Sequence, residues 1–212
     1  LAGVVVLAPP DFVAAELRLS RLRVPWLVEV EPEIPVGDPV MDEHPVARAV
    51  RHLADLGHER FFHLGGPVEW ASGRGRHTAF HETVRSLDLK DCGATAGPWG
   101  PATGYEAMDQ YPWDSRPTAI VAQSDLLAAG VVLAAREMGL RVPEDVSVAG
   151  FDGVELPWLG TDSLTTVAQP LEAKGEALGH AVDALLQGRG VTEVVLPVEL
   201  RVGTTTGPPP AL

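Results

Sequence analysis

The chain has 212 residues, 45% of them hydrophobic, and its 29 acidic against 16 basic side chains leave a net charge of -13. That length sustains one large core or two smaller lobes, and a surface so negative makes the chain by itself a poor binder of phosphate backbones. A single cysteine, Cys92, rules out an internal disulfide and fits a reducing cytoplasm, no apolar run reaches membrane-spanning length, and LAGVVVLAPP lacks the charged leader of a secretion signal.

Apolar runs and turn residues alternate along the chain. Val4–Ala8, closed by Pro9 and Pro10, predicts a buried strand, and Trp26–Val30 after Pro25 a second. Val46–Leu56 changes period. Val46, Val50, Leu53 and Ala54 share one helical face, Pro45 suits the first turn and Gly57 the C-terminal cap. Phe61–Leu64 reads as a strand closed by Gly65, Gly66 and Pro67. A helix over Arg74–Ser86 follows, then a shorter one over Thr103–Gln110. Ala119–Ala122 predicts a strand. Ser124–Met138 predicts a helix with Leu127, Val131, Ala134, Ala135 and Met138 facing inward, ended by Gly139. The segment VPEDVSVAGFD supplies a strand over Val146–Phe151 that stops on a carboxylate. Leu164–Gln169 reads as a link to a helix over Pro170–Leu186, where Gly175 and Gly179 permit close packing. Val194–Arg201 is the last strand, and the tail TTTGPPPAL has the composition of disorder. This alternation predicts an α/β fold, with a parallel sheet covered by helices on both faces. The chain begins almost inside a strand, so an upstream part is expected.

In open α/β sheets, ligands sit beyond the carboxyl ends of the strands. That rule selects Gln123-Ser124-Asp125, Asp152-Gly153, and the loop GGPVEWASGRG at 65–75, which holds Trp70 and Ser72 ahead of Arg76. Asp152 is either a turn-former backed by Gly153 or a carboxylate accepting from ligand hydroxyls. Asp125 suits the start of a helix, a structural role, and Ser124 is a plausible cap that also faces the cleft. Arg76 stands early in its helix, where a cation gains nothing from the dipole. It is either a fork of donors for ligand oxygens or a solvated arginine. Trp99, in GPWGP, is a rigid platform for a sugar or base face, or a core plug. His77 and His81 share a helix face without the glutamate of the protease pattern, so no metal site is predicted. No nucleophile elbow or phosphate-binding lysine loop occurs, and Gly73-x-Gly75 lacks the third glycine of a dinucleotide loop. The reading is therefore no enzyme and no cofactor.

Five stretches carry a resemblance: VPEDVSVAGFD at 142–152, SLTTVAQP at 163–170, AIVAQSDLLAAGVV at 119–132, LGHERFFHLGG at 56–66, and Arg76-His-Thr-Ala-Phe80. In this order and spacing the chain resembles the effector-binding core of the LacI/GalR transcription regulators. The resemblance implies a periplasmic-binding-protein-like (type I) fold of two doubly wound parallel-sheet lobes, the first incomplete because the sequence starts at what looks like the family's third strand. Residues 1–65 plus 166–190 are expected in the N-terminal lobe, 66–165 plus 191–206 in the C-terminal lobe, and 207–212 in a disordered tail. Crossings are expected near Gly65–Pro67, Leu164–Thr166 and Gly190–Thr192.

The same resemblance makes Arg76 and Asp152 the main polar ligand contacts, Trp99 the aromatic against the ligand, and Ser72 a polar cleft residue, with Trp70 beside it. Ser124 stands where many relatives have asparagine, Gly153 replaces a frequent second acidic residue, and Glu43 follows Asp42 where an asparagine is common. The implied partner is a small-molecule effector, a sugar or something nucleobase-like. A homodimer is implied too, with operator DNA reached only through a helix-turn-helix that this sequence lacks, in the cytoplasm and away from membranes. A solute-binding receptor of a sugar transporter shares the fold; the repressor-like 163–170 stretch favours the regulator.

Overall fold

Odd and even residues of the central strands face different helices. Phe61, Val121, Ala149, Phe151 and Val167 enter one core, while Phe62, Leu64, Ile120, Ala122 and Val148 enter the other. The structure is a computed structural model that describes residues 3–19, 24, 26–29, 44–112, 114–159, 163–190 and 197–211.

In chain order the elements are β1 (Val4–Leu7), α1 (Asp11–Leu19), β2 (Trp26–Glu29), α2 (Pro45–Asp55), β3 (Arg60–Gly65), α3 (Ala71–Ser86), β4 (Lys90–Ala96) and α4 (Pro101–Ala107). Then come β5 (Ala119–Ala122), α5 (Asp125–Glu137), β6 (Ser147–Asp152), β7 (Thr165–Ala168), α6 (Leu171–Leu186) and β8 (Glu199–Arg201). The large sheet has six strands in the order β4-β3-β5-β6-β7-β8, parallel except for the β7–β8 pair. β1 and β2 form a separate parallel pair.

α2 and α3 cover one face of the large sheet through Val46, Val50, Leu53, Phe80 and Val84. α5 covers the other through Leu127, Val131 and Val132, with Met108 just past α4. Each such side chain, fully buried, contributes about 1.5–3 kcal/mol from apolar burial. Met138, expected on the inner face of α5, is instead largely exposed, because the helix ends one residue earlier.

Three expected boundaries need correction. Residues 60–65 were expected in the N-terminal lobe, but β3 lies between β4 and β5 of the large sheet, and α2 packs on it. The sheet change therefore falls before α2, and Gly65–Pro67 leads from β3 to α3, which packs on the same sheet. Thr166–Ala168 likewise stays in the large sheet as β7, paired with β6. α6 follows and touches β2 of the small pair. Residues 191–192 of the third crossing and Asp42-Glu43 lie outside the described residues.

The tail is the third correction. Residues 207–211 are an ordered strap, not disorder. The Thr205 carbonyl accepts from the Val148 amide of β6 at 2.8 Å, and the Thr205 hydroxyl donates to the Val148 carbonyl at 2.7 Å. The Gly207 amide donates to the Ser147 hydroxyl at 3.1 Å, and the Gly207 carbonyl accepts from His58 Nε2 at 2.9 Å. Because a carbonyl only accepts, Nε2 carries the proton and Nδ1 accepts from the Thr118 hydroxyl at 2.8 Å. Gly57 turns the chain at φ +100, a conformation that favours glycine, and faces Pro209. The prolines suit such a strap because it forms no ladder that needs their missing amides.

This arrangement makes stability depend on pH. Burial pushes His52, His58, His63 and His77 below the ordinary value of 6.5. A histidine with a depressed folded pKa binds its proton more readily when unfolded. The stability it contributes is full above the unfolded value and is lost as pH falls from there toward the folded value. The thermal midpoint is expected to drop on going from about pH 7.5 to about 5.5. Calorimetry at matched ionic strength checks this, and an unchanged midpoint refutes it.

Candidate functional site

Parallel order brings the carboxyl ends of β3, β4, β5 and β6 to one edge of the sheet. Past β3 lies the loop with Trp70; past β4 lies Trp99; past β5 lie Gln123, Ser124 and Asp125; β6 ends on Asp152.

Arg76 sits in α3 and is only 7% exposed. Its Nη1 donates to the Gln123 carbonyl at 2.6 Å. Its guanidinium lies 3.8 Å from the Phe151 ring centroid and 5.9 Å from that of Trp99. A planar, weakly hydrated cation tolerates such a stack; a lysine ammonium does so less well. Asp152 Oδ1 stands 3.7 Å from Arg76 Nη1 and accepts from Gln169 Nε2 at 3.1 Å. Asp152 has φ +112, which strains a side-chain-bearing residue. The strand thus ends on its carboxylate at a conformational cost that a plain turn-former would not need. Trp99 and Trp70 meet edge to face with centroids 6.3 Å apart. Together these four side chains join a fork of donors, an acceptor and two indole faces.

Ser124 is the N-cap of α5, and its hydroxyl oxygen accepts from the Leu127 amide at 3.2 Å. Ser72 is buried in the first turn of α3. Asp125 reaches across rather than along its helix: Oδ2 accepts from the Val154 amide at 2.6 Å. Burial raises its pKa, opposed by the Thr166 hydroxyl and the amides of Val154, Gly153 and Phe151. It thereby ties the start of α5 to the turn that presents Asp152. Asp125→Ala is expected to cost about 2–3 kcal/mol, because buried amides lose their acceptor. Chemical denaturation measures it; a loss under about 0.5 kcal/mol, the size of an ordinary surface change, contradicts it.

The rule for strand ends selects Gln123 in the sequence but assigns it no role. Its side chain is 1% exposed. Oε1 accepts from the Gly66 amide at 2.9 Å, and Nε2 lies 3.0 Å from the Gly73 carbonyl and 2.9 Å from His63 Nε2. The available signal was a long polar residue directly after four buried apolar ones. His77 and His81 have ring centroids 4.3 Å apart, and His81 Nδ1 bonds to Asp91. Among the described residues no group of His, Cys, Asp or Glu has a metal-holding arrangement, and no helix is long and apolar enough to cross a membrane.

Comparison with known proteins fits this geometry. The model of the periplasmic binding protein-like domain family matches residues 50–206. An HTH-type transcriptional repressor PurR from Erwinia tasmaniensis is 37% identical over 151 residues, 69% of this chain and 44% of the relative. Its namesake from Salmonella arizonae is 39% identical over 145 residues, 66% of this chain and 42% of the relative. The chain thus spans less than half the length of these curated relatives. A LacI family transcriptional regulator from Mycobacterium smegmatis superposes with a TM-score of 0.80 at 29% identity, covering 99% of this chain and 80% of that one. The lac repressor dimer bound to operator and the anti-inducer ONPF gives 0.81 at 27% identity, covering 98% and 74%. The matched domain, these relatives and the sheet order agree: the chain belongs to the periplasmic binding protein-like family, as an effector-binding core of the LacI/GalR type.

Proposed function

We propose that this chain is the sensing core of a transcription regulator that binds a small polar ring compound, a sugar or a nucleobase, at the carboxyl edge of the large sheet. The observation that carries the reading is the convergence of Arg76, Asp152 and Trp99 there. Arg76 supplies donors to ligand oxygens, Asp152 accepts from hydroxyls or ring N–H groups, and the indole of Trp99 lies against a ring face. Trp70 walls the same side, and Ser72 and Ser124 complete a polar lining. No group in this cluster is set up as a nucleophile beside a base, so the role is binding, not catalysis.

Differential contacts with such a ligand would bias the lobe arrangement. In the parent protein a homodimer and a separate DNA-binding part would convert that bias into operator occupancy, in the cytoplasm. The relatives are repressors by name, which supports a regulator over the solute receptor of a transporter. Isothermal titration against galactose, glucose, ribose, adenine, guanine and hypoxanthine tests the reading. Saturable binding by one member supports it. Silence across the panel, with folded protein, counts against it.

A further inference from the structure

His63 lies fully buried in β3, stacked on Phe80 of α3 with ring centroids 4.4 Å apart. Its Nδ1 is 3.0 Å from the Val121 carbonyl oxygen. That oxygen only accepts, so Nδ1 carries the proton and Nε2 offers a lone pair. The Gln123 amide nitrogen faces this lone pair at 2.9 Å and donates to it. Its second hydrogen goes to the Gly73 carbonyl, and Oε1 takes the Gly66 amide. The opposite amide orientation would set Oε1 against two acceptors and the NH2 group against an N–H. One orientation alone satisfies all three partners.

Those partners matter for the cleft. Gly66 and Gly73 bracket the segment that holds Trp70 and Ser72. Gly66 also lies directly under Trp99: a Cβ there would stand 2.0 Å from the indole. The backbone carbonyl of Gln123 itself receives Arg76.

We propose that Gln123 is a positioning residue for the effector cleft, and that neutral His63 sets the direction of its amide, holding the 66–73 loop, Trp99 and Arg76 in binding geometry. This rests on the sensing role proposed above. The coupling has a definite electrostatic form. A proton on His63 Nε2 would face the Gln123 NH2 group, so the amide would turn and release Gly66 and Gly73. Around His63 stand His77 and His81 of α3, at ring centroid distances of 5.4 and 5.9 Å, and Asp91 of β4 beyond His81. Burial first, then His77 and His81, push the His63 pKa well below 6.5, against the pull of the Val121 carbonyl. The hold is therefore intact at neutral pH and fails only in acid.

The test uses 15N-labelled chain: wild type, Gln123→Met and Gln123→Glu. Ring-nitrogen shifts report the His63 tautomer, and hydrogen exchange reports the Gly66 amide. Wild type is expected to show the Nδ1–H tautomer and a protected Gly66 amide. Gln123→Met keeps the volume without the bonds, so Gly66 exchange accelerates about tenfold or more. Gln123→Glu accepts from Gly66 but donates nothing to neutral His63, so it raises the His63 pKa and favours imidazolium. An Nε2–H tautomer in wild type, or unchanged Gly66 exchange in Gln123→Met, overturns the proposal. The same variants are titrated with the sugar and base panel. A ligand bound by wild type is expected to bind Gln123→Met about tenfold more weakly, and equal affinity also overturns the positioning role. Should no panel member bind wild type, the sensing role fails, while the ring and exchange data still decide what Gln123 holds.

Discussion

With the effector held as proposed, Asp152→Ala is expected to lower affinity by more than about a hundredfold while the fold survives. A carboxylate that accepts two ligand bonds supplies about 1.5–3 kcal/mol for each, and about 1.4 kcal/mol is one decade of affinity. The folded state loses less. The Asp152 side chain is 30% exposed, so its attraction to Arg76 is screened by water. Asp152→Gly refines the test, because glycine accepts φ +112 without strain. It should lose the same affinity and melt no lower than the alanine variant. Titration and calorimetry on both variants check this. Affinity equal to wild type in either one removes Asp152 from the site.

Gly130→Ala should be among the most damaging single-methyl changes in the core. A Cβ at Gly130 would sit 2.0 Å from the Pro101 carbonyl oxygen and 2.8 Å from the Tyr105 amide. Across the same contact, a Cβ at Gly104 would meet the Leu127 carbonyl at 2.0 Å. All three atoms belong to backbone, so α4 and α5 must separate. Overpacking costs about 1–3 kcal/mol, and the better helix propensity of alanine returns less than about 1. A net loss of about 1–2 kcal/mol is expected at so close a backbone contact, read as a lower denaturant midpoint at constant slope. Gly179→Ala in α6 is the control, because its added methyl meets nothing within 4 Å. It should gain about 0.5–1 kcal/mol from propensity alone. If both variants shift the same way, the close helix contact is wrong.

Strands buried on both faces were legible because burial makes them continuously apolar. Ala119–Ala122 came out with its observed bounds, and Phe61–Leu64 lost one residue at each end. β4 was missed because Lys90–Ala96 reads KDCGATA. It lies at the sheet edge, mostly exposed, where pairing with β3 rather than burial makes it a strand. β7 was taken for a link, since two threonines in TTVA carry little pattern. Its burial comes from β6 and β8 on either side, which is tertiary information. α1 has nine residues and escaped for want of a clear period. The ordered strap escaped because a proline run was judged on composition, whereas its partners, His58 and Ser147, lie far upstream.

The rule for strand ends selected Asp152 and the loop ahead of Arg76, and these two side chains stand 3.7 Å apart. The role of Gln123 was not legible. Its meaning depends on a histidine sixty residues earlier that sits on the neighbouring strand with its tautomer already committed. Within this chain Gly175 and Gly179, which permit close packing, meet nothing within 4 Å, whereas Gly104 and Gly130, which pack closely, drew no notice.

The strap and the cleft occupy opposite rims of the same sheet. Ser147 opens β6, and Asp152 closes it. Strands of four to six residues at about 3.3 Å each separate the rims by more than a Debye length in physiological salt. A charge altered at one rim is therefore weakly felt at the other. Selection can then act on the two rims almost independently. On the proposed reading, a charge changed in the cleft alters what is bound there without loosening the strap at the opposite rim.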